Sequence, residues 1–209
     1  MDFALWLGFV VASSALLIVP GPTVILVASY AMTHGRKVAL ATAAGVAAGD
    51  FVAMSASLLG LGALVQASAE LFVVLKWIGA AYLVYLGIRL LRARPGAGLA
   101  EATAGRKTRP AALFGHAFTV TALNPKSIAF FIAFVPQFLR PEAPLAPQFA
   151  ILITTFVGLA ALNALAYAIL ADRLRARMAR PAVALWLGRA GGAVLVAMGV
   201  LTAATRRAA

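Results

Sequence analysis

Six of the 209 residues are acidic. Asp2, Glu70, Glu101, Glu142 and Asp172 fall at the ends of apolar runs or between them, whereas Asp50 sits in the middle of one. A carboxylate at the centre of a membrane helix costs about 2.5–3.5 kcal/mol on insertion scales, so it persists only beside a partner, a proton or water. An acid that can be protonated in one state and paired in another is a candidate for coupling proton movement to solute movement. The neighbouring residues are small: Ala41, Gly45, Gly49, Ala53 and Ser57 recur every four positions, a stripe that lets helices approach closely. Asp50 adjoins that stripe, which turns it toward a helix interface rather than lipid. The plainer reading is a structural hydrogen bond to an amide freed by a broken helix.

Two such breaks are written in the chain. Pro20-Gly21-Pro22, followed by Thr23, interrupts the first apolar run, and Asn124-Pro125 interrupts the fourth. A single proline can merely kink a membrane helix. Pro-Gly-Pro removes two amide donors and adds a flexible joint, which points to a functional break. Lys126 follows Asn124-Pro125 and stands at the start of the second half-helix. A cation there opposes the helix dipole, unless an anion binds or Asp50 is near; the alternative is a lysine that snorkels to an interface. Asn163 and Tyr167 lie one turn apart, and Tyr82 and Tyr85 share one side of the third run. These four, together with Gly49, are weaker candidates for a polar substrate's site, since such residues also join helices to each other.

Other chemistry is missing. There is no cysteine, hence no disulfide framework, zinc knuckle or thiol chemistry. His34 and His116 have no acid or second histidine at ligand spacing, so neither reads as a metal site. No Gly-x-x-x-x-Gly-Lys-[Ser/Thr] loop, Ser/His/Asp set or His-Glu-x-x-His helix occurs. The expectation is a protein that is not an enzyme, holds no cofactor and draws on an ion or solute gradient.

The elements that must carry these residues are membrane helices. Hydrophobic residues make up 63% of the chain and charged residues 11%, against about 45–50% and 25% in soluble domains; mean hydropathy is +0.96. This excludes a soluble enzyme and a disordered tail. The first run continues past Met1-Asp2-Phe3 without a basic leader, which suits a first span better than a cleaved signal. Six runs follow one another, near residues 3–35, 38–64, 71–91, 111–139, 148–171 and 183–204. The net charge of +12 lies in short clusters between runs, which argues against nucleic-acid binding. Thirteen Lys and Arg fall on one side, in Arg36-Lys37, Arg89 to Arg109 and Arg173 to Arg189, against Lys76, Arg140, Arg206 and Arg207 on the other, with Lys126 inside a span. The positive-inside rule then places both termini outside the cytoplasm.

The chain also repeats. At an offset of 112, Gly79, Ala81, Leu83, Val84 and Gly87 match Gly191, Ala193, Leu195, Val196 and Gly199. Repeats of three spans each are inverted relative to one another, and inverted repeats with broken first helices are a layout of secondary transporters. We therefore expect an all-α, polytopic membrane protein with a single transporter domain over 1–209. Repeat one covers 1–91, a linker 92–110 and repeat two 111–209.

The Gly21-Pro22 break, Gly45-x-x-x-Gly49-Asp50, the segment from Lys76 through Trp77-Ile78-Gly79 and Tyr82-Leu83-Val84-Tyr85 to Gly87, and Asn124-Pro125-Lys126 together resemble the LysE/RhtB amino-acid exporter family, nearest its homoserine/threonine and leucine exporter branch. The likeness spans essentially the whole chain. It implies a bacterial inner-membrane protein that exports amino acids or derivatives, coupled to protons. Its partners would be that substrate, protons and lipid, with a homo-oligomer left open. The site would lie at mid-membrane between Pro20–Thr23 and Asn124–Lys126, with amides at the half-helix N-termini holding a carboxylate. Asp50 would hold either the substrate ammonium or a proton. Two rivals stay open: a metal-cation exporter, which needs more intramembrane ligands than one Asp, and a non-transporting membrane scaffold, which needs no mid-membrane breaks.

The charge bias yields a topology test. Reporter fusions after Gly105 should signal cytoplasm and fusions after Arg207 the opposite side; a cytoplasmic signal from both would sink the six-span arrangement.

Overall fold

The computed structural model describes residues 2–19, 21–34, 38–67, 69–92, 109–140, 142–170 and 181–204, and among them there is no strand. The helices are α1 (Phe3–Ile18), α2 (Pro22–His34), α3 (Ala39–Ala67), α4 (Ala69–Arg92), α5 (Pro110–Ala122), α6 (Pro125–Ala133), α7 (Leu145–Ile169) and α8 (Pro181–Ala204), with a short 3₁₀ turn at Val135–Phe138. The protein is thus all-α and polytopic. Ala39–Ala63, Val73–Arg92 and Leu145–Ile169 are each long and apolar enough to cross a bilayer, and α1 with α2 is a fourth such unit bent by 59°. The other two expected runs differ in kind. Asn124 and Pro125 divide one into α5 and α6, of 13 and 9 residues. The apolar stretch of α8 is the shorter Arg189–Ala204.

Each break has a local cause. Pro22 and Pro125 stand at the first position of α2 and α6, where a missing N–H costs nothing and the fixed φ suits a helix start. Asn124 caps α6 by accepting a hydrogen bond from Lys126 N at 3.1 Å, the usual work of Asn at that position. Polar contacts define the two ends of the bundle. Asp2 pairs with Arg140, and Gln137 Nε2 donates to Thr202 Oγ1 at 2.9 Å, so the start of α1 and the end of α8 share one end. Gln148 orders the turn there: its Oε1 accepts from Arg140 N at 2.9 Å and its Nε2 donates to Arg140 O at 3.0 Å. At the other end, Tyr30 Oη lies 2.7 Å from His116 Nδ1 and joins α2 to α5.

Small residues bring helices together backbone to backbone. On α3, β-carbons on Gly45 and Gly49 would lie 2.5 Å from Phe114 O and 2.7 Å from Phe118 O of α5. The four-residue stripe is therefore a helix contact at these two positions, and it leaves Asp50 beside it. The contact of α4 with α8 has a further property. A β-carbon on Gly87 would lie 2.6 Å from Gly192 O and 2.7 Å from Val196 Cγ2, and one on Gly199 would lie 2.7 Å from Ala80 O and 2.6 Å from Val84 Cγ2. At the offset of 112, Gly87 corresponds to Gly199, Val196 to Val84 and Gly192 to Ala80. Each glycine thus meets the counterparts of the residues its own counterpart meets, the reciprocity expected of a two-fold contact.

Gly87→Leu should cost about 1–3 kcal/mol through overpacking and lower the melting temperature of detergent-purified protein. Gly158→Ala, where a β-carbon has nothing within 4 Å, should not lower it. An unchanged melting temperature for Gly87→Leu would show that α4 and α8 do not meet in this way.

Candidate functional site

A helix that ends inside a bundle leaves its last four carbonyls without intrahelical partners. In α1 these belong to Leu16, Leu17, Ile18 and Val19, and each is met by a side chain from the second half of the chain. Lys126 Nζ donates to Leu16 O and to Val19 O, both at 3.1 Å. Asn163 Nδ2 donates to Leu17 O at 3.1 Å, and Tyr167 Oη to Ile18 O at 3.0 Å. The one-turn spacing of Asn163 and Tyr167 on α7 matches consecutive carbonyls on α1. The sequence cost attached to Lys126, a cation at a helix N-terminus, is met here by the negative C-terminal end of a different helix. Lys126 is turned inward and does not snorkel.

The half-helix starts meet on the other side of the break. Asn124 Nδ2 donates to Thr23 Oγ1 at 3.3 Å, and Thr23 Oγ1 lies 3.3 Å from Thr121 Oγ1. Gly21 is buried against the lysine: a β-carbon there would sit 3.2 Å from Lys126 Nζ and 3.4 Å from its Cε. A side chain at this position would press on the lysine head, which would have to give by a few tenths of an ångström. Pro20 lies outside the described residues. Pro22 is exposed, and so is Pro125; both act through the backbone.

These groups enclose a cavity of about 30 Å³, lined among others by Leu16, Gly21, Thr23, Asp50, Asn124, Lys126, Ser127 and Asn163. That volume suits water rather than a solute. Asp50 is 2% exposed, and its Oδ1 has no hydrogen-bond partner among the described residues. It faces the same space as the Lys126 ammonium. The structure therefore gathers Asp50, Gly21, Thr23, Asn124, Lys126 and Asn163 at one place. Tyr167 reaches the break through Ile18 O. Gly49 serves the α3–α5 contact. Tyr82 and Tyr85 pair with each other at 5.9 Å between ring centroids, with Tyr85 half-exposed, and neither lines the cavity. The amide of Lys126, one of the donors expected to hold a ligand carboxylate, is taken by Asn124.

Sequence reasoning missed Thr121 and Ser127, both buried. Thr121 bridges to Thr23, and Ser127 lines the cavity. Their signal was a hydroxyl within a turn of the Asn124-Pro125 break. Ala160 and Ala164 of α7 also line the cavity, and their small side chains leave it room.

The packing on the two sides of the cavity differs. Toward the Asp2–Arg140 end, phenylalanines of α1, α6, the 3₁₀ turn and α7 pack ring on ring. Phe131–Phe156 centroids are 4.8 Å apart, Phe130–Phe134 5.3 Å and Phe9–Phe138 5.5 Å. Toward the other end stand Val24 and Val27, buried below the break, and then the Tyr30–His116 contact.

Helices broken at mid-bundle around a buried carboxylate and an inward lysine are the parts of a membrane transporter, and the chain belongs to the LysE type translocator family, whose model matches residues 14–206. It is similar over its full length to the homoserine/homoserine lactone efflux protein of Salmonella typhimurium, with 34% identity over 208 residues and 100% of each chain covered. It is 34% identical over 141 residues to the leucine efflux protein of Klebsiella pneumoniae, covering 66% of this chain and 65% of that one. A membrane protein of Vibrio cholerae is 32% identical over 206 residues, covering 99% of this chain and all of that one. No solved structure matches.

Replacing Asn163 by Leu leaves the Leu17 carbonyl unpaired and should cost about 1–3 kcal/mol, read as a lower melting temperature in detergent. Tyr167→Phe should cost less, because Tyr167 lies nearer the surface and water can replace its hydroxyl at Ile18 O. Equal stability of Asn163→Leu and wild type would show that the α1 carbonyls do not depend on this cap.

Proposed function

We propose that the protein is a secondary active exporter of amino acids or amino-acid derivatives in the bacterial inner membrane, driven by proton entry. The observation that carries this reading is the cavity at the meeting of the two broken helices, where Asp50 and Lys126 face one small space. A zwitterion carries one ammonium and one carboxylate, and the groups gathered around this space include an acceptor for the first and donors for the second. The efflux functions in the names of the Salmonella and Klebsiella relatives support amino acids as the solute class.

The fold would act as six spans in two inverted repeats, with both termini on the periplasmic face. The bundle end with exposed Arg89, Arg92 and Arg109 would then face the cytoplasm, in keeping with the positive-inside rule. Asp50 would alternate between a proton and a cationic ammonium, that of the substrate or of Lys126. Two ligands that exclude one another at a single group are coupled through it. A proton arriving from the periplasm then releases the amino acid outward, and its loss to the cytoplasm readies the site again.

The test is efflux from proteoliposomes holding purified protein, with radiolabelled L-homoserine and L-leucine and an imposed pH gradient. Wild type should export at least one of them faster when the gradient is present. Asp50→Asn keeps the size and hydrogen bonding of the neutral acid but cannot ionise. It should insert normally and lose gradient-driven efflux by at least about tenfold, a change of roughly 1.4 kcal/mol or more in the barrier. Efflux by Asp50→Asn at the wild-type rate, with the same dependence on the gradient, would make Asp50 structural and remove the coupling scheme.

A further inference from the structure

We propose that the Lys126 ammonium is a tethered placeholder for the substrate ammonium: it occupies the carbonyl site at the end of α1, and an arriving amino acid displaces it toward Asp50. This rests on the export reading above and adds a role for Lys126 in affinity and turnover.

Three observations carry it. The first is the identity of the group. Lys126 Nζ is a primary ammonium held by Leu16 O and Val19 O at 3.1 Å each, carbonyls exposed by the break at Gly21. An amino-acid ammonium is the same chemical group, with the same three donors, so the same pair of carbonyl acceptors suits either. The second is the destination. Asp50 is 2% exposed and carries an oxygen without a hydrogen-bond partner among the described residues, in the cavity that Lys126 also lines. A buried carboxylate with an open oxygen is the natural second position for a displaced ammonium. The third is the space. A lysine has a flexible four-carbon stem, and Gly21 presents no side chain beside its Cε and Nζ, so the head can move without a backbone change at that point.

The charges balance in each state. Without substrate, the ammonium neutralises the negative end of α1 and a proton neutralises Asp50. With substrate, its ammonium takes the carbonyls, the lysine pairs with Asp50, and the proton on Asp50 has left. The substrate carboxylate then faces the starts of α2 and α6, where the dipoles favour an anion. Lys126 thus imposes a competition: the substrate must displace it to bind, and its return expels the substrate.

A competitor that is removed no longer weakens binding, whereas a mere structural cap that is removed can only loosen the site. If the lysine holds the carbonyls about nine-tenths of the time, its loss strengthens apparent affinity by about tenfold. In the proteoliposome assay with L-homoserine and L-leucine, Lys126→Met should therefore lower KM by about tenfold. It should also lower kcat, because nothing expels the substrate. Lys126→Arg keeps the cation but holds carbonyls with a rigid fork, and should raise KM by about tenfold at a near-normal melting temperature. This arm stands even where Lys126→Met does not insert. An unchanged or higher KM in Lys126→Met, or an unchanged KM in Lys126→Arg, overturns the placeholder role while wild-type efflux still upholds the export reading. Absence of efflux of both probes by wild type overturns the export reading for them and the placeholder with it.

Discussion

A helix that stops halfway across a bilayer leaves four carbonyls unpaired where there is no bulk water to take them. Each costs several kcal/mol if it stays that way. The break after Val19 sets this problem, and much of the interior is its solution. Lys126, Asn163 and Tyr167 come from α6 and α7 to the end of α1, which fixes the second half of the chain against the first. The close contacts of Gly45 and Gly49 with α5 then bring Thr121 and Asn124 to Thr23, so the second break meets the first. Asp50, next to that glycine stripe, is carried into the space between them. The same interaction that satisfies the backbone therefore assembles the site.

Much of this could be read from the chain. Asp50, the Pro20-Gly21-Pro22 and Asn124-Pro125 breaks and the small-residue stripe are each local patterns with a direct physical meaning, and they led to the region where the cavity lies. The family resemblance, built on the same motifs, agrees with the match over residues 14–206. What could not be read was pairing. Lys126 is 110 residues from Leu16, and no local rule says which helix end a lysine will reach. For that reason its position at the start of α6 looked unfavourable, although the opposing end of α1 answers it. Tyr82 and Tyr85 show the converse: polar aromatics at helical spacing look like ligands, yet they pair with each other, and Tyr85 is half-exposed. Thr121 and Ser127 escaped notice because hydroxyl residues are common in membrane helices and acquire meaning only from what faces them.

The α4–α8 contact gives the offset of 112 a geometric content. A chance match between apolar helices would place the matched glycines anywhere on the two surfaces. Here Gly87 reaches Val196 and Gly199 reaches Val84, so the matched positions lie on the shared face and exchange roles across it. Contacts about a pseudo-two-fold axis are a feature of secondary transporters built from inverted repeats.

The packing on the two sides of the cavity is made of different materials, and this has a thermal consequence. On one side lies a stack of phenylalanine rings, four of them fully enclosed; on the other lies a phenol–imidazole hydrogen bond. Parting the rings brings aromatic surface into water and raises the heat capacity, whereas exchanging a hydrogen bond for one with water changes it far less. The cohesion of the two sides therefore depends on temperature in different ways. Because apolar cohesion weakens on cooling, the aromatic side loses more of its cohesion in the cold than the hydrogen-bonded side does.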